Sequence, residues 1–302
     1  MNTGVSVRGR IHQSRTDRVF DIINYLLLTL ALLVVAYPLY FIVIASISDP
    51  AVVYAGDVIW RPIRPTLEGY QRILSYSSLY SGYRNTIVYT AVGTVINVVL
   101  TLLAAYALSR KDLVGRSVFM RLIMFTMIFS GGLIPNYLLV RSLGLYNSMW
   151  ALILPGAIST WNLIVARTFF QQSIPDDLLE AAELDGCGDV RFFGNIVLPL
   201  SHSIIAVMVL YYAVAHWNSY FNALIYMSSQ DKYPLQLVLR NILIVNTVDD
   251  MMYDVAVVAE QQRMADLIKY GMIILSALPL LVLYPFLQKY FVQGVMIGAI
   301  KG

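Results

Sequence analysis

The sequence predicts an all-α integral membrane protein with six membrane-spanning helices. Three observations favour this fold class. Hydrophobic residues make up 58% of the 302 positions, and charged residues make up only 13%. Soluble domains carry about 25% charged residues, so lipid is expected to surround much of this surface. Apolar segments of about 20 residues, the length at which a helix crosses the hydrocarbon core, also recur along the chain.

Six segments meet this length when weak polar interruptions are allowed. The fifth is long and rich in tyrosine, so its ends are poorly defined by sequence. The sixth has Lys269 and Lys289 near its two ends, where lysine side chains extend to the membrane interface. The predicted spans are Ile22–Ile47, Thr86–Leu108, Val118–Leu139, Met149–Phe170, Ile196–Met227 and Leu267–Phe291.

Basic residues predict the orientation, because short loops rich in Lys and Arg stay cytoplasmic. They precede the first span and occupy the second connection, at Arg8, Arg10, Arg15, Arg18, Arg110, Lys111 and Arg116. The predicted organisation is a cytoplasmic N-terminal arm (1–20), a six-span domain (21–292) and a cytoplasmic C-terminal tail (293–302). The longer connections, about 48–85 and 228–266, are then outer loops.

Residues that bind metals or phosphates are scattered or missing. The three histidines and the single cysteine, Cys187, lack the spacing of a metal site. The sequence contains no Gly-Lys pair, so it has no phosphate-binding loop of the G-x-x-x-x-G-K-[ST] type. We therefore expect a transport protein that binds no cofactor itself and is not an enzyme.

The segment SIPDDLLEAAELDG, residues 173–186, predicts a short helix in a cytoplasmic connection. Ser173 is the expected N-cap with Asp176 as its partner acid, and Pro175 fits the first turn. Gly186 is expected to end the helix in a left-handed conformation. A helix of about three turns is marginal alone in water. It must therefore dock, either on this protein's own spans or in the cleft of a partner.

A longer pattern surrounds this helix: Glu-Ala-Ala at 180–182, three residues, Gly186, nine residues, and then IVLP at 196–199. This string resembles the signature of inner-membrane permease subunits of ATP-binding-cassette importers. The stretches YALSRKDLVGR, WNSYFNAL, GVMIGAIKG and residues 129–155 resemble the carbohydrate branch, in particular the smaller permease of importers for alginate or pectin fragments. The resemblance implies a type I importer permease with a coupling helix at about 175–186.

The resemblance also implies a coupling role for residues in and after this helix. Glu180 would meet a basic residue of the ATPase subunit, and Ala181 and Ala182 would lie flat in its groove. Asp185 would anchor the turn, and Gly186 would return the chain to the membrane. The implied coupling residues are Glu180, Ala181, Ala182, Asp185, Gly186 and Pro199, the last setting the start of the fifth span.

The implied partners are a homologous second permease, two ATPase subunits that hold ATP and Mg, an extracytoplasmic binding protein and a saccharide. The implied location is the bacterial cytoplasmic membrane. A secondary carrier driven by an ion gradient is the alternative. Such carriers bury ionisable residues in their spans and often show inverted repeats, whereas acids in mid-span are essentially missing here. A membrane enzyme is disfavoured because no reactive cluster is present.

Polar and aromatic residues in the spans are candidates for a substrate path. The fifth span contains YYAVAHWNSYFN, residues 211–222, and polar groups at membrane depth are often functional. The alternative is that His216, Asn218 and Asn222 form hydrogen bonds between helices. Asn162 and Arg167 are interpreted as structural. The candidate path residues are Trp217, Asn218, Tyr220, Asn222, Asn97, Asn136 and Tyr137.

Overall fold

The computed structural model describes residues 14–245, 263, 265–266, 268–282 and 284–285, and every regular element within them is helical. The all-α prediction is therefore confirmed for this part of the chain. In chain order the helices are α1 (Arg15–Ser46), α2 (Pro50–Tyr54), α3 (Glu68–Leu74), α4 (Ser77–Ser109), α5 (Arg116–Ile128), α6 (Leu133–Ser142), α7 (Trp150–Ile153), α8 (Thr160–Ser173), α9 (Asp176–Leu184), α10 (Asp189–Phe192), α11 (Leu198–Leu200), α12 (His202–Trp217), α13 (Phe221–Tyr226), α14 (Leu235–Val245) and α15 (Ile268–Val282).

Helices α1 and α4 are each long and apolar enough to cross a membrane. Helix α1 begins at a capping box formed by Ser14 and Asp17, so residues 15–20 belong to the first helix rather than to a separate arm. Helix α4 begins at Ser77, nine residues before the predicted start of the second span. The tail 293–302 lies outside the described residues.

The third and fifth predicted spans are not continuous helices. Helices α5 and α6 meet at 115° across residues 129–132, where two glycines and the nearby Pro135 disfavour a straight helix. The segment 189–200 meets α12 at 83° around Ser201, just after Pro199. A π-helical turn, Phe193–Val197, precedes this bend. Pro199 was predicted to set the start of the fifth span. It lies in α11, and the long helix α12 begins after it, at His202.

Length and composition therefore support two crossing helices, or four if each bent pair is one span. The fourth predicted span is divided into α7 and α8 by Pro155 and Gly156. The sixth is described only as far as α15 and residues 284–285. The count of six spans stays a prediction.

Helix α4 is the centre of the fold, with α8, α12 and α14 packed along it. The main core, at its C-terminal half, buries Ala105, Ala166, Phe170 and Met208 almost completely. A second core, at its N-terminal half, is closed by α14 and α15. Helix α1 buries residues only in its last turn, so most of its apolar surface is exposed in the single chain.

Candidate functional site

Helix α9 lies against the protein's own core through one face. Leu179 and Ala182, three positions apart and so on the same side of the helix, are buried in the main core cluster. The opposite face is open: Leu184 is 90% exposed, and Glu180 and Ala181 are also exposed. The helix therefore docks on its own spans and still presents a second face to the surroundings.

The two alanines of the motif lie on different faces of α9. Ala182 was expected to lie in a partner's groove, but it is buried within this chain, because it falls one turn after Leu179 on the docked face. Ala181 points away from the core. Leu178 is 40% exposed, so the buried part of α9 consists of Leu179 and Ala182.

The C-terminal end of α9 has the left-handed glycine that the sequence predicts. Gly186 has φ +73°, and its N–H donates to the carbonyl of Glu183 at 2.9 Å. The N–H of Cys187 donates to the carbonyl of Ala182 at 2.8 Å. These two bonds form a Schellman motif. Asp185 is exposed, and its carboxylate has no hydrogen bond in the described part of the chain, so backbone groups rather than Asp185 make the turn.

The N-terminal end of α9 differs from the prediction. Ser173 is the last residue of α8 and makes no cap, while Pro175 occupies the N-cap position without a side-chain bond. The first residue of α9 forms an ion pair instead: Lys111 Nζ lies 2.6 Å from Asp176 Oδ2. Its hydrogen bond lowers the pKa of the Asp176 carboxyl. This pair ties α9 to the connection between α4 and α5.

An open cavity of about 700 Å³ lies between α4, α8 and α12. Its wall contains amide, hydroxyl and aromatic side chains, and none of its lining residues is charged. The polar and aromatic members are Asn97, Ser159, Trp161, Asn162, Tyr211, Tyr212, His216, Ser219 and Asn222. The cavity is large enough for a small organic ligand.

Hydrogen bonds between helices hold the cavity wall. Asn97 Nδ2 and His216 Nε2 are 3.0 Å apart. The hydroxyl groups of Thr101 and Tyr212 are 2.6 Å apart, and the Tyr212 hydroxyl also accepts the N–H of Ser159 at 3.0 Å. Asn97 Oδ1 is buried without a partner in the described structure. These bonds join α4, α8 and α12 around the cavity, and Asn97 Oδ1 is enclosed within the wall.

The structure separates the predicted path residues into two groups. Asn97 and Asn222 line the cavity. Trp217 does not: it is buried behind the wall, where its indole N–H donates to the carbonyl of Ser276 at 2.9 Å. The remaining predicted residues, Asn218, Tyr220, Asn136 and Tyr137, are also absent from the lining.

Sequence reasoning missed several lining residues. Asn162 was interpreted as structural, yet it lines the cavity, and Trp161 was not singled out. Tyr211 and Ser219 lie within the quoted stretch 211–222 but were not among the candidate residues. Trp161 and Asn162 follow Ser159, whose side chain accepts the N–H of Asn162 and caps α8. The sequence did contain a signal for Trp161 and Asn162. Ser159 is a good N-cap residue shortly after Pro155 and Gly156, and this pattern predicts a helix start within the bundle.

Comparison with known proteins gives the family. The family model described as "Binding-protein-dependent transport system inner membrane component" matches residues 3–297. Two Bacillus subtilis (strain 168) proteins are each 40% identical: the polygalacturonan/rhamnogalacturonan transport system permease protein YtcP, over 95% of this chain and 99% of the relative, and protein LplC, over 97% and 98%.

A solved structure agrees with the sequence relatives. It is titled as the crystal structure of a bacterial ABC transporter involved in the import of the acidic polysaccharide alginate. It matches with a TM-score of 0.80 and 33% identity, over 92% of this chain and 99% of that one. The fold is thus that of a type I importer permease, and the family excludes the ion-coupled carrier considered from sequence. The chain belongs to the inner-membrane components of binding-protein-dependent transport systems.

Proposed function

We propose that this chain is one of two permeases in an importer that carries an oligosaccharide or polysaccharide inward across the cytoplasmic membrane. Separate ATPase subunits, which bind ATP and Mg, supply the energy, and this chain catalyses no reaction. An extracytoplasmic binding protein delivers the saccharide. The relatives support the substrate class, since their names include polygalacturonan, arabinooligosaccharide and maltodextrin transport.

The cavity is the observation that carries this proposal. Saccharides offer hydroxyl groups and flat apolar ring faces. The cavity offers amides at Asn162 and Asn222, and aromatic surfaces at Trp161 and Tyr211. These groups suit a neutral polar ligand that is held by several moderate contacts and then released. The homologous second permease completes the path.

Helix α9 is the proposed coupling helix. Its free face carries Glu180, Ala181 and Leu184, a carboxylate beside a small and a large apolar residue. Leu184 is 90% exposed, so its side chain is available for contact with a partner. When the ATPase dimer closes on ATP, it moves this face, and the buried Leu179 and Ala182 transmit the movement to α4 and α8. The cavity then alternates between inward and outward access.

Transport by the complete complex in proteoliposomes tests the proposal. Uptake of a saccharide should require the binding protein and internal-facing ATPase with ATP, and vanadate should stop it. A proton ionophore should leave it unchanged while ATP is present. Uptake that continues with vanadate and collapses with the ionophore would refute the proposal. The topology is tested by labelling single cysteines, with both termini expected on the cytoplasmic side.

A further inference from the structure

Helix α8 connects the cavity to the proposed coupling helix. At its start, Ser159, Trp161 and Asn162 line the cavity. At its end, Phe170 is buried in the main core together with Leu179 of α9, which begins three residues after α8 ends. The 14 residues of α8 have a length of about 21 Å. A helix of this length is a stiff element, so movement of α9 reaches the cavity through α8.

The Tyr212 hydroxyl joins the cavity end of α8 to α4 and α12. It accepts the N–H of Ser159, the N-cap residue of α8, at 3.0 Å. It also lies 2.6 Å from Thr101 Oγ1 of α4. A tyrosine hydroxyl has one proton to donate and can accept as well, so it satisfies both neighbours at once. Tyr212 and Thr101 are 3% and 0% exposed, so both hydroxyls are shielded from water.

These hydrogen bonds respond to movement differently from the apolar core beside them. The core that α4 and α8 share includes Leu102, Leu163 and Ala166. Apolar packing is non-directional, and packed helices can slide slightly along one another. A hydrogen bond weakens steeply when its angle is distorted. A small sliding movement of α8 therefore breaks the Tyr212 bonds before it exposes the core.

The bond between Tyr212 and Ser159 is also part of the cavity. Both residues belong to its lining. A ligand in the cavity therefore lies beside this bond, while α9 lies at the far end of the helix that the bond holds. Occupancy of the cavity and movement of α9 thus act on the same contact from opposite ends.

We propose that the Tyr212 hydroxyl is a latch, a contact that holds α8 in its present position until α9 is displaced. This inference rests on the proposed function, in which closure of the ATPase dimer moves α9. Tyr212 is a positioning residue, because it acts on ATP hydrolysis through α8 and does not touch ATP. The latch opposes closure of the ATPase dimer, so it keeps hydrolysis slow in a complex without its binding protein.

ATP hydrolysis by the complete membrane complex in proteoliposomes, without binding protein or saccharide, tests this role. Tyr212→Phe removes the hydroxyl and keeps the ring. It should raise vanadate-sensitive hydrolysis about threefold to tenfold, the shift in a two-state equilibrium expected for loss of a hydrogen bond. A variant that only lost stability would hydrolyse ATP more slowly, because less of the complex would be assembled. The sign of the change therefore separates a latch from a structural contact.

Tyr83→Phe is the matched control. The Tyr83 hydroxyl donates to the carbonyl of Leu275 at 2.6 Å and so also joins α4 to another helix, α15, but Tyr83 packs on the second core and does not line the cavity. This variant should leave hydrolysis unchanged. Thr101→Val removes the other hydroxyl of the latch and should raise hydrolysis less than Tyr212→Phe does, because the bond to Ser159 remains. Thr101→Val decides the question if Tyr212→Phe does not assemble.

Unchanged or slower hydrolysis in an assembled Tyr212→Phe complex, or in Thr101→Val where the former does not assemble, would overturn the latch and leave the proposed import function intact. An equal rise in Tyr83→Phe would also overturn it, since any loosening of α4 would then be sufficient. Absence of vanadate-sensitive hydrolysis from the unmodified complex would overturn the proposed function itself.

Discussion

Asn97 Nδ2 lies 3.0 Å from His216 Nε2, a contact between helices whose residues are 119 positions apart in sequence. Gly93, one turn before Asn97 on α4, makes room for the imidazole. A Cβ at position 93 would lie 2.5 Å from the same Nε2 atom. The close packing of α4 on α12 and the wall of the cavity therefore depend on the same three residues.

Gly93→Ala should displace the His216 ring and break its bond to Asn97. Overpacking of this kind costs about 1–3 kcal/mol. Thermal unfolding of the purified complex should show a lower midpoint than Gly194→Ala, a helical control at which a Cβ meets nothing within 4 Å. Both variants add one methyl group at a glycine in helical backbone, so the clash at position 93 is the main difference between them. Equal midpoints would show that the ring moves freely.

Leucine substitutions at Ala181 and Ala182 should separate two roles of α9: contact with the ATPase and packing in the protein's own core. Ala182→Leu forces three extra carbons into the main core and should destabilise the permease by about 1–3 kcal/mol. Ala181→Leu should leave the unfolding midpoint unchanged, because residue 181 is exposed, and should reduce co-purification of the ATPase. Unimpaired ATPase binding by Ala181→Leu would contradict the assignment of the free face.

Gly186→Ala should destabilise α9 by about 1–2 kcal/mol, since a side chain is disfavoured at φ +73°. Gly188→Ala is the control, because residue 188 has φ −77° and free space around it. Gly186→Pro should abolish ATPase co-purification, because proline cannot adopt this φ and cannot donate to Glu183. The two permeases should still pair. Full ATPase stoichiometry in Gly186→Pro would refute a coupling role for α9.

The two tryptophans near the cavity should respond differently to alanine. Trp217→Ala removes a buried ring and the bond to Ser276, and should cost about 3–5 kcal/mol. Trp161→Ala removes a side chain that is 57% exposed and lines the cavity. The unfolding midpoint of the Trp161→Ala complex should therefore stay the same, while its saccharide uptake falls. A stable Trp217→Ala with impaired uptake would return Trp217 to the substrate path.

The parts of the structure that follow from neighbouring residues were predictable. The helix in 173–186 and its left-handed end depend on helix formers followed by glycine, so the sequence located α9 and Gly186 correctly. The start of that helix was wrong at Ser173, because α8 continues through this residue and Lys111 satisfies Asp176 instead. An ion pair between residues 65 positions apart leaves no local signal.

The cavity was only partly predictable. Composition identified polar residues at membrane depth, and two of them, Asn97 and Asn222, line it. The same reasoning selected Trp217, because sequence gives the chemistry of a side chain and not the direction in which its helix faces. The bend around Ser201 sets the direction of α12, and residues of α12 form much of the cavity wall.

The sequence by itself determined the helical membrane class, the family and the α9 turn, because hydrophobicity, helix propensity and glycine conformation act over a few neighbouring residues. Only the tertiary structure decided which face of α9 stays free, which of Ala181 and Ala182 is buried, and which polar side chains line the cavity. Those outcomes depend on packing between segments that are distant in sequence. Each helix is rotated about its own axis so that its apolar side chains are buried and its polar side chains find partners.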